Sequence, residues 1–413
     1  MTITLTDDQK KLQGAVRGFY TNKESFLTVD GSAGTGKTTV LRFIYESEQK
    51  LNNAFRAIDP SYTDKHMILT ATTNKAVNVL QSQFSNTFVN VRTIHSLFGL
   101  RPFKGKLTSS YTPKDLAQSL GNKIIIIDEC SMINDELYQI IKEVAAYGIK
   151  FIFVGDSNQL PPVKSKSISP VFSNPTVKLT EVVRQTDELL LLADSFRKFV
   201  ELDEFPSIQP NGTSIIHLPQ DEFEQMILDD MGTPGWTIRD SRVVAYTNKQ
   251  VKHYNSMIKE DLTGTAAIVE GELVINNSYV KGNPNIAVPT EAEVYIRKIT
   301  PHKAIVDGFR YVIVHGMKET ALWMPKGPEE AKELQRIIKG MDSTPNYIYN
   351  VLADLRPMYA STIHKAQGST FKRIYIDLNS IKSVQYYDPL MFKRLLYVAV
   401  SRASEQVIFT GDI

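Results

Sequence analysis

A glycine-rich segment near the start of the chain has the residue types and spacing of a phosphate-binding loop. Residues 31–38 are GSAGTGKT, which fits the pattern G-x-x-x-x-G-K-[ST]. Gly34 and Gly36 allow backbone N–H groups to surround a phosphate without clashes from a Cβ atom. The ammonium group of Lys37 would reach the terminal phosphates, and the Thr38 hydroxyl would coordinate Mg²⁺. The segment therefore predicts a nucleoside triphosphate site.

Two adjacent carboxylates follow an apolar run further along the chain. Asp128 and Glu129 end the segment KIIIIDE at residues 123–129. A carboxylate at the end of a buried strand is costly unless it faces a cation or a hydrogen-bond network. We expect Asp128 to hold Mg²⁺ through its water shell and Glu129 to activate an attacking water. Alone, such a pair is equally typical of a solvated strand end, but with the phosphate-binding loop it predicts nucleotide hydrolysis.

Seven short apolar segments end in polar or glycine-rich residues, and helical patterns separate most of them. Such strands favour parallel sheets covered on both faces, in which ligands bind at the carboxyl ends of the strands. The segments are residues 26–31, 66–74, 123–129, 150–156, 242–248, 373–378 and 406–412. Four precede residue 178 and three follow residue 180, which predicts an α/β fold with two parallel-sheet domains.

The texture of the sequence changes between residues 263 and 345. Short β-rich segments alternate there with Asn, Gly and Pro turns, as in a small antiparallel barrel. Residues 328–340 predict a helix that begins at Pro328 and stops at Gly340. No internal repeat is evident. We therefore expect a β insertion in the second α/β domain.

Composition excludes several other classes of protein. The 413 residues carry 47 Lys and Arg against 45 Asp and Glu, so a nucleic-acid partner would be held by a local patch and not by overall charge. One cysteine excludes a disulfide framework and a Cys-rich zinc site. No apolar run is long enough for a membrane span, and no signal or transit peptide is recognisable. We expect a cytoplasmic protein, in the host cytoplasm if a phage encodes it.

Five segments occur in an order that resembles superfamily 1 helicases of the 5′→3′ branch, the group of RecD-like and Dda-like helicases. They are GSAGTGKT (31–38), IIIIDEC (124–130), GDSNQLPPV (155–163), STIHKAQGST (361–370) and LLYVAVSRA (395–403). The resemblance covers nearly the whole chain. It implies two RecA-like domains around an ATP site, residues 1–178 and residues 179–262 with 346–413. It also implies an SH3-like β-barrel insertion at residues 263–345.

The resemblance assigns roles in ATP hydrolysis residue by residue. Gln9 would recognise adenine, Gln159 would contact the γ-phosphate, and Arg184 and Arg402 would reach that phosphate from the second domain. The implied ATP-binding residues are Gln9, Gly34, Thr35, Gly36, Lys37, Thr38 and Thr39, the catalytic ones are Lys37, Glu129, Gln159, Arg184 and Arg402, and the Mg²⁺ ligands are Thr38 and Asp128.

The resemblance also implies contacts to single-stranded DNA. Hydroxyl, amide and lysine side chains suit a grip on the sugar-phosphate backbone that ignores sequence. The implied contacts are Thr73, Asn74, Lys75, Thr93, His95, Thr247, Asn248, Thr362, His364 and Lys365. The first motif departs from its relatives, which often have Ala-Pro-Thr where this chain has Ala71-Thr72-Thr73.

A turn at KGK, residues 104–106, lies between Phe103 and Leu107 and predicts a small hairpin within residues 101–112. In Dda-like helicases a hairpin at this place separates the strands of the duplex. Phe103 would then stack on a base at the fork. A plain surface loop is the alternative interpretation.

These expectations combine into an ATP- and Mg²⁺-dependent helicase that translocates 5′→3′ on single-stranded DNA and unwinds forked duplex DNA. The alternatives are an RNA helicase of the same architecture, a P-loop ATPase that binds DNA without unwinding it, and a P-loop kinase or other nucleotide transferase. Replication and single-strand-binding proteins are candidate partners, and we expect a monomer. The sequence leaves the pathway open among replication, recombination and repair.

Overall fold

The computed structural model describes residues 5–84, 90–103, 106–163, 165, 167–181, 188–206, 208–284, 286–339 and 352–412. The chain forms two compact units. Unit 1 contains residues 1–220 and 363–413, and unit 2 contains residues 221–362. In the ranges that the structure describes, no helix has both the length and the apolar character needed to cross a membrane.

A six-stranded parallel sheet lies at the centre of unit 1. Its strands are β1 (Phe26–Gly31), β2 (His66–Ala71), β3 (Arg92–Thr93), β6 (Lys123–Asp128), β7 (Lys150–Gly155) and β8 (Thr176–Leu179). They pair in the order β3–β2–β6–β7–β1–β8, and every pair is parallel. The four predicted strands of this half of the chain are therefore confirmed, with β3 and β8 added at the edges.

Helices cover both faces of this sheet. The helices are α1 (Asp7–Thr21), α2 (Lys37–Glu46), α3 (Glu48–Ile58), α4 (Asn74–Gln83), α5 (Ile94–Leu97), α6 (Pro113–Leu120) and α7 (Asp135–Ala145). The isoleucines of β6 alternate between two apolar clusters. Ile124 and Ile126 pack with α1, α2 and α4, whereas Ile125 and Ile127 pack with α6 and α7. A strand buried on both faces needs apolar residues at every position, which explains the continuous apolar run.

A two-stranded hairpin, β4 (Leu100–Phe103) and β5 (Lys106–Ser109), precedes α6. Side chains and backbone fix its base to the rest of unit 1. The backbone N–H of Leu107 donates to Glu136 Oε1 at 2.7 Å, and the Ser109 hydroxyl donates to the Phe98 carbonyl oxygen at 2.8 Å. Because an isolated two-stranded hairpin is only marginally stable, these anchors are what hold it in place.

Unit 1 is completed by three further parallel strands and four helices. The strands β9 (Ile215–Leu218), β20 (Ala403–Thr410) and β19 (Phe371–Asp377) pair in that order. The helices are α8 (Glu188–Leu202), α12 (Ile363–Ala366), α13 (Leu378–Lys382) and α14 (Pro389–Val400). Helix α8 packs on α14, where the rings of Phe199 and Phe392 lie 6.4 Å apart.

Unit 2 combines a parallel strand pair with a larger antiparallel sheet. Strand β10 (Ser241–Ala245) is parallel to β18 (Ala360–Thr362) and is accompanied by α9 (Gln220–Met231) and α10 (Asn248–Thr263). The antiparallel strands are β11 (Leu273–Asn276), β14 (Ala292–Lys303), β15 (Asp307–His315), β16 (Lys318–Pro325) and β17 (Leu355–Arg356), in the order β16–β15–β14–β11–β17. A ribbon of β12 (Val280–Lys281) and β13 (Ala287–Val288) and the helix α11 (Pro328–Lys339) complete it.

The predicted change of texture at residues 263–345 thus corresponds to an antiparallel sheet, and the predicted helix is found at Pro328–Lys339. Leu334 of that helix packs beside Val306 and Trp323. The sheet takes one more strand, β17, from beyond the predicted boundary.

A buried ion pair joins α10 to the residue before β11. The Lys259 ammonium group is fully buried and binds Glu272 Oε2, which also accepts the Val269 N–H at 3.1 Å. The other carboxylate oxygen of Glu272 is buried and has no partner among the described residues. Loss of Lys259 would therefore leave a buried and uncompensated charge.

We predict that Lys259→Ala lowers the free energy of unfolding of unit 2 by about 3–5 kcal/mol. Urea unfolding followed by tryptophan fluorescence measures this in unit 2, because both tryptophans of the chain, Trp236 and Trp323, belong to it. The double variant Lys259→Met/Glu272→Gln removes both charges and should recover at least half of the loss. If it is as unstable as the single variant, charge isolation is not the cause.

Candidate active site

The phosphate-binding loop connects the end of β1 to the start of α2. Gly34 and Gly36 have φ angles of 81° and 75°, which a residue with a side chain adopts only with strain. Lys37 is the first residue of α2, so the free N–H groups of that helix face the loop. The Lys37 ammonium group donates to the Ser32 carbonyl oxygen at 2.9 Å, and so does the Thr35 hydroxyl at 2.9 Å. The loop thus joins a strand to a helix, which is the context of a phosphate-binding loop, and its contact with a nucleotide stays a prediction.

Gln9 lies at the first turn of α1, beside this loop. Thr6 caps the helix and exchanges hydrogen bonds with Gln9, whose side chain is buried. The Gln9 amide also donates to the carbonyl oxygen of Thr35 at 3.1 Å. Its predicted contact with adenine stays a prediction.

Asp8, next to Gln9, fixes a different segment. Its carboxylate accepts hydrogen bonds from the N–H and the hydroxyl of Thr180 at 2.8 and 2.7 Å, and these bonds lower the pKa of Asp8 to about 2. Thr180 lies four residues before Arg184 in the sequence, and Arg184 falls outside the described residues. The first turn of α1 therefore anchors both the nucleotide loop and the approach to the predicted arginine.

Asp128 and Glu129 stand at the carboxyl edge of β6. Burial, and next the Glu129 charge, raise the pKa of Asp128, while Lys37 opposes the rise. Glu129 has a φ angle of 53°, a strained conformation for a residue with a side chain. Its Oε2 atom is buried and, among the described residues, has no hydrogen-bond partner. A carboxylate oxygen held in this way suits a group that accepts a proton from water.

Thr38 and Asp128 offer the oxygen ligands that Mg²⁺ prefers. Mg²⁺ usually keeps several waters and takes one or two protein ligands together with phosphate oxygens. Within the described part of the chain, no three His, Cys, Asp or Glu side chains are grouped as metal ligands. A hydroxyl and a buried carboxylate beside a phosphate-binding loop therefore fit a metal that arrives with its nucleotide.

A pair of glutamines connects two of the predicted motifs with the residue that follows a third. The side-chain amide nitrogen of Gln367 donates to Gln159 Oε1 at 2.9 Å and to the Ser131 hydroxyl at 3.1 Å. Both glutamines are buried. Gln159 was predicted as a γ-phosphate contact, but Gln367 was not predicted at all. Its position inside the segment STIHKAQGST was the signal that could have identified it.

Helix α14 supplies two more residues that sequence reasoning missed. The Tyr397 hydroxyl donates to Asp156 Oδ2 at 2.6 Å and accepts the N–H of Ala33 in the phosphate-binding loop at 3.2 Å. Burial raises the pKa of Asp156, and this hydrogen bond opposes the rise. Arg394 donates to the backbone oxygens of Ser157 and Gln159. Together these contacts position the segment after β7 against the loop.

Among the described residues, the hydrogen-bond partners of the Arg402 side chain all lie between residues 369 and 401. Its guanidinium donates to Val398 and Ser369 carbonyl oxygens at 3.1 and 3.3 Å and to the Ser401 hydroxyl at 2.8 Å. None of these partners belongs to the phosphate-binding loop. Its role as a γ-phosphate contact stays a prediction.

The predicted DNA contacts follow two parallel strand pairs that are built alike. Residues 73–75 and 247–249 are both Thr-Asn-Lys, and residues 93–95 and 362–364 are both Thr-Ile-His. Ala71 pairs with Thr93 between β2 and β3, and Ala245 pairs with Thr362 between β10 and β18. The expectation that the chain has no internal repeat is therefore wrong for these short motifs. Comparing the two strand-helix segments with each other would have revealed the repeat.

The first threonine of each Thr-Asn-Lys sequence caps a helix. Thr73 accepts the Ala76 N–H at 3.2 Å at the start of α4, and Thr247 accepts the Gln250 N–H at 3.2 Å at the start of α10. Asn74 and Asn248 are then the first residues of these helices. Free N–H groups at a helix N-terminus attract phosphates, so both places suit a nucleic-acid backbone.

Two partly buried histidines belong to the same motifs. Burial lowers the pKa of His95 and of His364. A lowered pKa favours the neutral form of each ring. Thr93 caps the short helix α5 that contains His95, and it accepts the Ser96 N–H at 3.1 Å. Lys75 donates to the carbonyl oxygen of Lys365 at 2.7 Å, which links two of the motifs directly.

Comparison with known proteins gives two family matches and a set of full-length relatives. Residues 4–196 match a family described as an AAA domain, and residues 357–410 match the UvrD-like helicase C-terminal domain. The chain is 24% identical to the ATP-dependent DNA helicase dda of Enterobacteria phage T4, over 98% of this chain and 99% of that protein. The predicted resemblance to superfamily 1 helicases is confirmed.

A second full-length relative is also a helicase by name. The chain is 24% identical to the ATP-dependent DNA helicase Pif1 of Bdellovibrio bacteriovorus, over 91% of this chain and 81% of that protein. Among solved structures, Pif1 helicase from Bacteroides in complex with ADP-AlF3 and ssDNA matches with a TM-score of 0.53 at 17% identity, over 100% of this chain and 94% of that one. At this identity the match shows the fold, an α/β architecture with parallel sheets.

We predict that Gln367→Leu lowers kcat for ATP hydrolysis by about 10- to 100-fold, because Gln159 loses the amide that orients it. The KM for ATP should change by less than about threefold, since the phosphate-binding loop is untouched. Gln406→Leu is a matched control, because among the described residues the Gln406 amide donates only to the Thr213 carbonyl oxygen, away from the loop. An unchanged kcat in Gln367→Leu would show that Gln159 is oriented without it.

Proposed function

We propose that the chain is an ATP-dependent DNA helicase that translocates 5′→3′ on single-stranded DNA and unwinds duplex DNA. One observation carries the proposal. The segment around α12 contributes His364 and Lys365 to the predicted DNA contacts and, two residues later, Gln367 to the nucleotide site. Gly368 follows, where a Cβ atom would lie 3.7 Å from Glu129 Oε1. A change at the phosphates would thus be transmitted to the DNA contacts through this one short segment.

The chemistry would be shared among the residues of the strand edge. Lys37 and the N–H groups of the loop would bind the triphosphate, and Glu129 would accept the proton of the attacking water. Thr38 and Asp128 would hold Mg²⁺, which would neutralise phosphate charge. Gln159, oriented by Gln367, would sense whether a γ-phosphate is present. The exchange of ATP for ADP would then alter the position of α12.

Arginines would complete the site when ATP is bound. In the structure the charged Arg402 guanidinium donates to uncharged acceptors, two carbonyl oxygens and a hydroxyl. Hydrogen bonds from a guanidinium to an anionic phosphate are stronger, so Arg402 would exchange these partners for the γ-phosphate. Arg184 is the second proposed arginine, and Asp8 would fix the segment that leads to it.

The repeated Thr-Asn-Lys and Thr-Ile-His motifs support a grip on single-stranded DNA at two places. Helix N-termini and hydroxyl and amide side chains bind phosphates and sugars and do not read base sequence. We propose the domain boundaries given by the sequence, with RecA-like domains at 1–178 and at 179–262 with 346–413. We also propose that residues 263–345 form an SH3-like insertion, which the antiparallel order of β11 and β14–β16 supports.

We predict that the protein unwinds a duplex with a 5′ single-stranded tail at least about tenfold faster than one with a 3′ tail, in the presence of ATP and Mg²⁺. Strand separation followed with a fluorophore and quencher pair measures both rates.

We predict that the Glu129→Gln variant binds ATP but hydrolyses it at least about 100-fold more slowly, because glutamine keeps the shape of the side chain and cannot act as a base. The Lys37→Ala variant should instead bind ATP more weakly.

Three results would contradict this function. Equal unwinding rates for the 5′-tailed and 3′-tailed duplexes would contradict 5′→3′ translocation. Stimulation of ATP hydrolysis by single-stranded RNA above that by DNA would favour an RNA helicase. Hydrolysis and translocation without any strand separation would favour an ATPase that binds DNA only.

We predict that Phe103→Ala keeps most of the DNA-stimulated ATP hydrolysis but loses at least about fivefold in unwinding, because a ring at the fork can stack on an exposed base for about 1–3 kcal/mol. The matched control is Tyr111→Ala, which removes an exposed aromatic ring that follows the hairpin and packs over Gly99 at its base. If Phe103→Ala lowers hydrolysis and unwinding by the same factor, the hairpin is not a strand-separating pin.

A further inference from the structure

A groove of about 760 Å³ lies on the surface of unit 1, between α1, α2 and α3. Its floor is apolar and includes Val16, Ile44 and the partly exposed rings of Phe43 and Phe55. Ligand pockets in proteins typically measure about 300–1,000 Å³ and are mostly apolar with a few polar groups. The groove has this size and character, and none of the predicted ATP or DNA contacts lines it.

Helix α1 leaves room along one wall of the groove. Gly14 and Gly18 are four residues apart on this helix, and a Cβ atom added to either would meet nothing within 4 Å. Glycine in a helix interior costs about 1 kcal/mol relative to alanine. Nothing within the described fold requires a glycine at either position. Gly18 lines the groove, so the absence of its side chain widens the space there.

Two cations stand at the groove without a carboxylate partner. Arg17 and Lys50 line it, are exposed, and form no ion pair among the described residues. The acidic groups on α2 and α3 are engaged elsewhere. Glu46 binds Arg42 at 2.7 Å, and Glu48 accepts the Met67 N–H at 2.6 Å and contacts the His66 ring at 2.9 Å. The groove therefore combines an apolar floor with uncompensated positive charge.

We propose that this groove binds an acidic, amphipathic peptide segment of a partner protein. Apolar side chains of the segment would pack between Phe43 and Phe55, and its carboxylates would pair with Arg17 and Lys50. Charge complementarity predicts a negatively charged partner, since the residues that line the groove include two cations and no acid. A nucleic-acid strand fits less well, because its regularly spaced phosphates would find two cations and an apolar floor.

The groove touches both helices that build the nucleotide site. Helix α1 carries Gln9, and α2 begins at Lys37. The binding of the peptide does not depend on ATP hydrolysis or on unwinding, so the proposal can be tested apart from the proposed function.

The experiment measures fluorescence anisotropy of a labelled 14-residue helical peptide with Leu and Phe on one face and Glu on the other, titrated with the full chain. We expect saturable binding that weakens with added salt. Gly18→Leu fills the groove without straining the helix and should weaken binding at least about tenfold, as should Arg17→Glu/Lys50→Glu. Lys114→Glu, a charge reversal on α6 outside the groove, is the matched control and should bind like the unaltered chain. Melting temperatures of all variants confirm folding.

The competing outcomes are distinct. A peptide with Lys in place of Glu that binds equally well would show general apolar adhesion and overturn the proposal. Displacement of the acidic peptide by a (dT)₁₂ oligonucleotide would assign the groove to nucleic acid. Unchanged affinity in Gly18→Leu would place the peptide elsewhere on the chain. Binding that survives the charge reversal but not Gly18→Leu would also overturn it, since the proposed ion pairs would be absent.

Discussion

The negative charge gathered around Lys37 is the constraint on which the nucleotide site depends. Asp128 ends β6 and Asp156 follows β7, and these strands are neighbours in the sheet. Burial raises the pKa of both carboxylates, and Lys37 opposes the rise in both. Buried carboxylates persist only where cations or hydrogen bonds compensate them. Lys37, the Tyr397 hydroxyl and the N–H groups beside these carboxylates provide this compensation, and a cation that arrives with a nucleotide would add to it.

Most of the parallel sheets could be predicted from the sequence, because strands buried on both faces are continuous apolar runs. KIIIID and KFIFVG contain enough apolar residues in succession to be recognised alone. The strands that were not predicted are short, such as the two residues of β3 and the three of β18. Their conformation comes from pairing with β2 and β10 and not from local preference, so the segments themselves carry no signal.

The residues of the candidate site also fall into those that the sequence predicts and those that it does not. The phosphate-binding loop and the pair Asp128–Glu129 could be predicted because their chemistry lies within a few consecutive residues. For Gln367 the sequence offered only its place in the segment STIHKAQGST, and for Tyr397 it offered no signal, because their roles arise from contacts with Gln159 and Asp156, 208 and 241 residues away in the chain. A glutamine or tyrosine in an apolar segment looks like a packing residue until the fold supplies its partner. The strained backbone of Glu129 likewise depends on the fold, since its residue type does not predict a positive φ angle.

The short segment after β18 explains how a small chemical change could become movement. Helix α12 has four residues, Ile363–Ala366, and at about 1.5 Å per residue it spans about 6 Å. The carbonyl oxygen of Lys365 is held by Lys75, and the amide of Gln367 is held by Gln159 and Ser131. Gln367 follows this helix directly, so a displacement of Gln367 would pull on Lys365 and strain its bond to Lys75. Nucleotide state and the grip on DNA would then be coupled by geometry over two residues, without a long pathway through the core.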